Sequence, residues 1–317
     1  MIKPIANRTH DYLSKGPAWL AQAYINLVSF VSRNLLPRSL STRVHNSVCG
    51  YIYGRQWQPM RFAARRVRMG KGTDVSFVPE LSGFEAEALF CRQFHYEPAL
   101  VGWLEDNVVA KYDLIIEIGA NVGIYTVFLD ALYRSASLSR DVTPRIVSFE
   151  PSEKAYRRLI ANLAANGTSF VSTYQAAIGR SSGAQTFFEP TGHLTNGSFM
   201  RPFSELFSDE ITESTVVTLA ASELDYWLGR AGGRSLIKID VEGFEPHLLE
   251  ALRPLIEKYH PDIVIEVLPF TAQALNECDA LSGYDRYLIS MEGLSRKASF
   301  EGDKDHYDWL LCWSGQP

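Results

Sequence analysis

From about residue 110 onward the chain alternates two patterns. Short apolar or β-branched runs occur at 114–118, 146–149, 170–175, 235–241 and 263–267. Runs of this length predict strands, the first of them buried on both faces. Longer segments between them carry apolar residues at helical spacing. One begins after Ser152, which is able to cap a helix, and continues to Asn166, where Gly167 ends it. Another spans Phe244–Tyr259. The alternation predicts an α/β, doubly wound, mostly parallel sheet with helices on both faces.

Two regions depart from that rhythm. Residues 184–220 are polar and contain glycine; Gly192–Ser198 reads as a mobile loop and Pro202–Ser214 as a short helix. Lying between the third and fourth strands, this insertion is expected to cover a ligand crevice and touch substrate. His193 is a candidate base there, although a lone loop histidine is more often solvated. Asn196 and Ser198 fit a plain turn equally well. The second region is Pro17–Leu36, rich in Trp, Tyr, Leu, Ile, Val and Phe but interrupted by Gln22, Asn26, Ser29, Ser32 and Arg33. Its apolar arc is wide for a surface helix and its length reaches the lower range of a membrane span, but the polar interruptions weigh against spanning. A hinge is expected at Gly70–Pro79, then helices to about Val109. This divides the chain into a helical basic region, 1–79, and a catalytic domain, 80–317.

Charge sharpens that division. The net charge is −5, yet residues 1–73 hold twelve Lys or Arg against Asp11 alone. Such a region suits a helix lying on an anionic membrane surface. It suits equally a helical appendage docked on the acidic remainder. Nucleic-acid motifs are lacking, so no nucleic-acid partner is expected. Cys49, Cys91, Cys278 and Cys312 have neither zinc nor disulfide-framework spacing. Reduced thiols and no recognised secretory signal point to a cytoplasmic setting, with peripheral contact at the inner face of a membrane.

The turns after the strands carry the chemistry. The first strand ends in Glu117-x-Gly119-x-Asn121-x-Gly123. Glycines let the backbone pass close to a ligand, and the next helix presents free N–H groups. A carboxylate at Glu117 disfavours a pyrophosphate there, and with it a nicotinamide-dependent oxidoreductase. It favours a cationic or hydroxyl-bearing ligand such as S-adenosylmethionine (SAM). Glu150, at the tip of the second strand, suits the hydroxyls of a ribose. A third strand end brings Asp240 and Glu242, and a fourth Glu266. Asp240, Glu242 and Glu266 are therefore the candidates for catalysis: Asp240 to meet the methionine end or the acceptor, the others as base or metal ligand. The same acids could instead be tied to Lys238 or to helix N-termini.

The strings Gly119-Ala-Asn-x-Gly123, Phe149-Glu-Pro151, Ile237-Lys-Ile-Asp-Val-Glu-Gly-Phe-Glu245 and Ile263-Val-Ile-Glu266, preceded by Tyr96-Glu97-Pro98, closely resemble those of the FkbM-type SAM-dependent methyltransferases. The resemblance covers roughly residues 96–313 and leaves the N-terminal region without a counterpart. Glu117 stands where Asp is commoner, and Ser222-Glu-Leu-Asp225 replaces a Thr-Leu-Asp lead-in. It implies a Rossmann-like fold, SAM as cofactor, and Glu97, Glu117, Gly119, Ala120, Asn121, Gly123, Thr126, Glu150, Ala177 and Asp240 as the residues holding it. The implied reaction is methyl transfer to an oxygen of a hydroxylated acceptor such as a sugar, glycan or lipid-linked glycan. A non-catalytic scaffold of the same fold is the alternative.

Overall fold

A computed structural model describes residues 17–52, 60, 62–81, 83–136, 143–191, 196–303 and 307–315. Two helices come first, α1 (Ala18–Leu35) and α2 (Arg38–Ile52). Next are a hairpin of β1 (Arg65–Met69) and β2 (Thr73–Phe77), the single turn α3 (Glu87–Phe90), and α4 (Pro98–Lys111). The alternating part then runs β3 (Tyr112–Ile118), α5 (Ile124–Ala136), β4 (Arg145–Phe149), α6 (Glu153–Asn166) and β5 (Val171–Tyr174). An insertion contributes β6 (Ala177–Gly179), β7 (Gly183–Pro190), α7 (Arg201–Ser204) and β8 (Ile211–Ala220). After α8 (Asp225–Leu228) follow β9 (Arg234–Ile239), α9 (Glu245–Tyr259), β10 (Asp262–Glu266) and α10 (Ala272–Asn276). The last strands are β11 (Tyr284–Ser290), β12 (Gly293–Lys297) and β13 (Asp308–Trp313).

Eight strands form one sheet in the order β12-β11-β13-β10-β9-β3-β4-β5. Strands β10, β9, β3, β4 and β5 are parallel, while β13, β11 and β12 add an antiparallel edge. The chain winds from β3 out to β5 and then returns to the other side of β3 as β9 and β10. The carboxyl ends of β3 and β9 thus flank the switch point at which open α/β sheets hold ligands.

Strand alternation feeds two cores. Leu114, Ile116 and Ile118 join Ile237 and Ile239 against Leu248, Leu249 and Leu252 of α9. Ile115 and Leu236 face the opposite way, into the core of Leu104 and Phe128 from α4 and α5. On this second face the three strands end in a polar row, with Glu117 paired in register to Ser148 on one side and Lys238 on the other. All three are buried.

The basic region differs from its expectation. Arg65–Phe77 is a hairpin rather than helix and hinge, with Gly70 in the turn at φ 55. Val67, Met69, Val75 and Phe77 belong to the same core as α4 and α5, so a boundary at residue 79 divides a shared core. Helices α1 and α2 rest on α3 through a smaller cluster that includes Ile25, Val48, Leu89 and Phe90. The insertion also departs from its reading. β6, β8 and β7 form a three-stranded sheet, and Pro202–Ser214 is not one helix: α7 ends at Ser204, and Ile211–Ser214 opens β8. Ile211, Thr212, Thr215, Val216, Val217 and Thr218 are β-branched, which favours a pleated strand over a helix.

Candidate functional site

Gly119 and Gly123 turn the chain from β3 into α5 with φ of 91 and 82, values open to glycine. A β-carbon on Gly119 would sit 1.7 Å from the Asp240 carbonyl oxygen, and one on Gly123 would lie 2.3 Å from Leu159 Cδ1. The first glycine lets the ends of β3 and β9 close on each other; the second lets α6 pack on the turn. Backbone contact, more than ligand space, dictates these two residues.

Glu150 locks the turn from the β4 side. Its carboxyl oxygens accept from Asn121 N at 2.8 Å and Ser152 N at 2.7 Å. Burial pushes this carboxyl up to about 7, against the pull of those two N–H bonds. A carboxylate offers about four lone-pair sites, so two remain for ribose hydroxyls. Ser152 also caps α6, accepting from Ala155 N at 3.3 Å, and Gly167 ends that helix at φ 58.

Glu117 behaves differently from its expectation as a ligand contact. It is 1% exposed and accepts from Thr126 Oγ1 at 2.6 Å and from Ser148 Oγ at 2.9 Å. Burial still raises its proton affinity. Glu117 and Thr126 are struts beneath the turn, on the polar row, with Lys238 across the strand pairing. Lys238 Nζ donates to Asp240 Oδ2 at 2.9 Å and lies 4.5 Å from the Tyr125 ring centre. Burial opposes that charge, but Asp240, Glu117 and Glu97 outweigh it and hold the ammonium above its ordinary value.

Beyond Asp240 the acids crowd. Glu97 accepts a hydrogen bond from the Tyr125 hydroxyl and sits at the start of α4 with left-handed backbone, φ 37. Asn121 and Glu242 adopt the same region at φ 53 and 55. Non-glycine residues there store strain, and three of the four such residues among those described occur at this site, the fourth being His260 at the end of α9. Glu266 at the end of β10 is the cross-strand partner of Asp308 in β13. Burial, then Asp240, raises Glu242 and Glu266 well above the ordinary carboxyl range; burial, then Glu97, does so for Asp308. Glu266 Oε2 has no hydrogen-bond partner among the described residues. Glu245 instead ties down its own helix start, accepting from Val241 N at 3.1 Å and Gly243 N at 3.2 Å. Among the described residues, no group of three or more His, Cys, Asp or Glu could hold a metal ion.

A cavity opens between these halves. Of the expected residues it is lined by Gly119, Asn121, Glu150, Ala177, Asp240 and Glu242. Ala120, Gly123, Thr126 and Glu117 support it from behind, while Glu97 and Glu266 belong to the acid cluster beside Asp240. The insertion roofs the cavity with Phe187, Gly197 and Phe199, as its position suggested. Ser198 Oγ clasps the roof to the β9 turn by donating to the Glu242 carbonyl at 2.8 Å. His193 lies outside the described residues. Sequence reasoning missed Asp308, Tyr125 and the roofing phenylalanines; only Glu245 sat in a string that could have singled it out.

The donor set fits SAM. Phe149, Ala177 and Ile178 give an apolar wall for an adenine, Glu150 keeps acceptor capacity for a ribose, and the carboxylate excess beside Asp240 suits an ammonium and a sulfonium. A methyltransferase FkbM domain model matches residues 117–293. A methyltransferase FkbM from Methylobacillus flagellatus shares 13% identity at a TM-score of 0.40, over 73% of this chain and 55% of that one. This chain thus spans little more than half of that protein. A SAM-dependent methyltransferase from Agrobacterium tumefaciens shares 9% at a TM-score of 0.40, over 80% and 71%. The tomaymycin O-methyltransferase of Streptomyces achromogenes, solved with SAM, shares 12% at 0.35, over 68% and 78%. No curated protein matches the chain. With its matched segment covering more than half of 317 residues, the chain belongs to the FkbM methyltransferase family.

Proposed function

We propose that the protein methylates a hydroxyl oxygen of an acceptor such as a sugar, glycan or lipid-linked glycan. SAM, the cofactor of the family, supplies when bound a methyl group activated by its sulfonium. Glu150 would hold the ribose, the Ala177 wall the adenine, and Asp240, fixed by Lys238, the methionine end. The observation that carries the reading is the crowding of Glu242 and Glu266 beside Asp240. Crowding and burial raise their proton affinity, and a carboxylate of raised proton affinity is a stronger base. A neutral hydroxyl is a poor nucleophile until its proton has somewhere to go. Glu242 reaches the cavity, and Glu266 keeps an oxygen without a partner. One of them takes the acceptor proton as the new bond to oxygen forms, while the roof excludes water.

The test is mass spectrometry of an extract of cellular glycans and lipids incubated with the full chain and methyl-labelled SAM. The expected product carries the label as a methyl ether on a hydroxylated acceptor. Label on nitrogen or carbon overturns the oxygen assignment. Cofactor binding without transfer to any acceptor favours the scaffold reading.

A further inference from the structure

Helix α1 carries large apolar residues on its outward side as well as on its inward one. Its inward side mixes apolar and polar contacts: Ala21 and Ile25 are buried, Ser29 Oγ donates to the Leu89 carbonyl at 2.6 Å and Ser32 Oγ to the Phe90 carbonyl at 3.0 Å. Arg33 Nη1 reaches the carbonyls of Ala88 at 2.6 Å and Cys91 at 2.5 Å. These bonds fix the helix's rotation on α3. Its outward side holds Trp19, Ala23, Leu27 and Phe30, spaced by four, four and three residues, which places them on one face. Trp19 is 70% exposed, Leu27 63% and Phe30 61%, and Leu35 at the end of α1 and Leu40 in α2 are exposed as well. Surface helices normally keep polar residues on the outward side. A contiguous exposed apolar patch marks an interaction site.

The charge along the chain that carries this face has one sign. No acid occurs from Tyr12 to Thr73. Arg38 and Arg43 are exposed on α2. Arg92 donates to Asn34 Oδ1 at 2.9 Å, which brings a guanidinium beside the outer face. Burial, then Arg65 and Arg92, holds Arg33 below its ordinary value, so like charges gather at the carboxyl end of α1.

We propose that the outer face of α1, with its flanking arginines, docks on an anionic lipid surface. An interfacial helix needs an apolar face entering the acyl boundary and a basic flank meeting anionic headgroups, and this surface supplies both. Among the described residues no helix is long and apolar enough to cross a membrane, so the contact lies in the interface plane. A second copy of the chain would bring the same cations against each other, because a two-fold contact pairs a patch with itself. A polyanion without apolar surface would leave Trp19, Leu27 and Phe30 in water. The two expectations for the N-terminal region, docking on the body and contact with a membrane, are therefore not exclusive: they use opposite faces of one helix.

Co-sedimentation of the full chain with vesicles tests this. Phosphatidylcholine vesicles containing about 30 mol % phosphatidylglycerol are compared with phosphatidylcholine alone. Binding is expected to need the anionic lipid and to weaken as salt shortens the Debye length toward ~3 Å at 1 M. Leu27→Glu with Phe30→Glu, both at solvent-facing positions, should lower partitioning at least ~10-fold with the fold intact by circular dichroism. Arg38→Glu with Arg43→Glu should give a comparable loss and erase the preference for anionic lipid. Full-length protein left in the supernatant at low salt overturns the proposal, as does undiminished binding by the Leu27/Phe30 variant. Concentration-dependent dimerisation abolished by Leu27→Glu overturns it too, and makes the face a self-interface.

Discussion

The two sides of the switch point treat their acids in opposite ways. On the β4 side every carboxylate meets donors nearby: Glu117 has Thr126 and Ser148, and Glu150 has two backbone N–H groups. On the β10 side Glu97, Asp240, Glu242, Glu266 and Asp308 crowd one another, with Lys238 as the cation beside Asp240 among the described residues. A satisfied network rigidifies, whereas buried charge without partners is costly and persists where function needs it. The first side is satisfied by its donors; the second holds the crowded acids on which the proposed reading relies.

The comparison breaks most visibly at the seam between the sides. Gly119→Val places atoms where the Asp240 backbone already is, at φ 91. The variant is expected to lose more than about 4 kcal/mol of stability, or to be insoluble. A soluble Gly119→Val protein with an unchanged melting temperature contradicts the close approach.

On the crowded side, Glu242→Gln and Glu266→Gln remove a charge and keep the shape. Whichever residue is the base should lose roughly 10²–10⁴-fold in turnover. SAM binding, followed by calorimetry, should survive in both. Wild-type turnover in the two variants would move the base to Asp308 or remove the need for one.

The β4 side should show binding effects instead. Glu150→Ala removes two backbone anchors and the ribose acceptor, with an expected ten- to hundred-fold loss of SAM affinity, about 1.5–3 kcal/mol. Glu150→Gln keeps one acceptor oxygen and should fall between. Equal affinity in all three proteins would separate Glu150 from the cofactor.

The smallest effect is on stability against pH. Glu150 and Glu245 are both raised from 4.5 to about 7 by burial. A carboxyl raised on folding contributes stability that is full below the unfolded value and is lost as pH rises through the folded one. The melting temperature of the cofactor-free protein should therefore decline between about pH 5 and pH 8, and less steeply in Glu150→Gln. A rise over that interval would mean these acids are not buried as described.

Much of the site was legible because it is local. Glu117 to Gly123, Phe149-Glu-Pro151 and Asp240 to Glu245 each form a strand end and its turn within a few residues, and periodicity alone marks them. The inward direction of Glu117 was not, since it depends on pairing with Ser148 and Lys238 from strands far along the chain. Asp308 enters only through antiparallel pairing with Glu266, which no motif announces. The insertion was misread because its polar residues obscured a strand that β-branched side chains favour. Helix α1 was correctly placed, but which of its faces turned inward depended on the carbonyls of α3.

Three raised carboxyls beside one cavity make the site a proton store. Burial and the neighbouring acids give Glu242, Glu266 and Asp308 a higher proton affinity than isolated carboxyls have. A cationic ligand arriving among them lowers that affinity, so its binding must discharge protons into the buffer. The heat of SAM binding should then vary with the ionisation enthalpy of the buffer, and the slope counts the protons expelled.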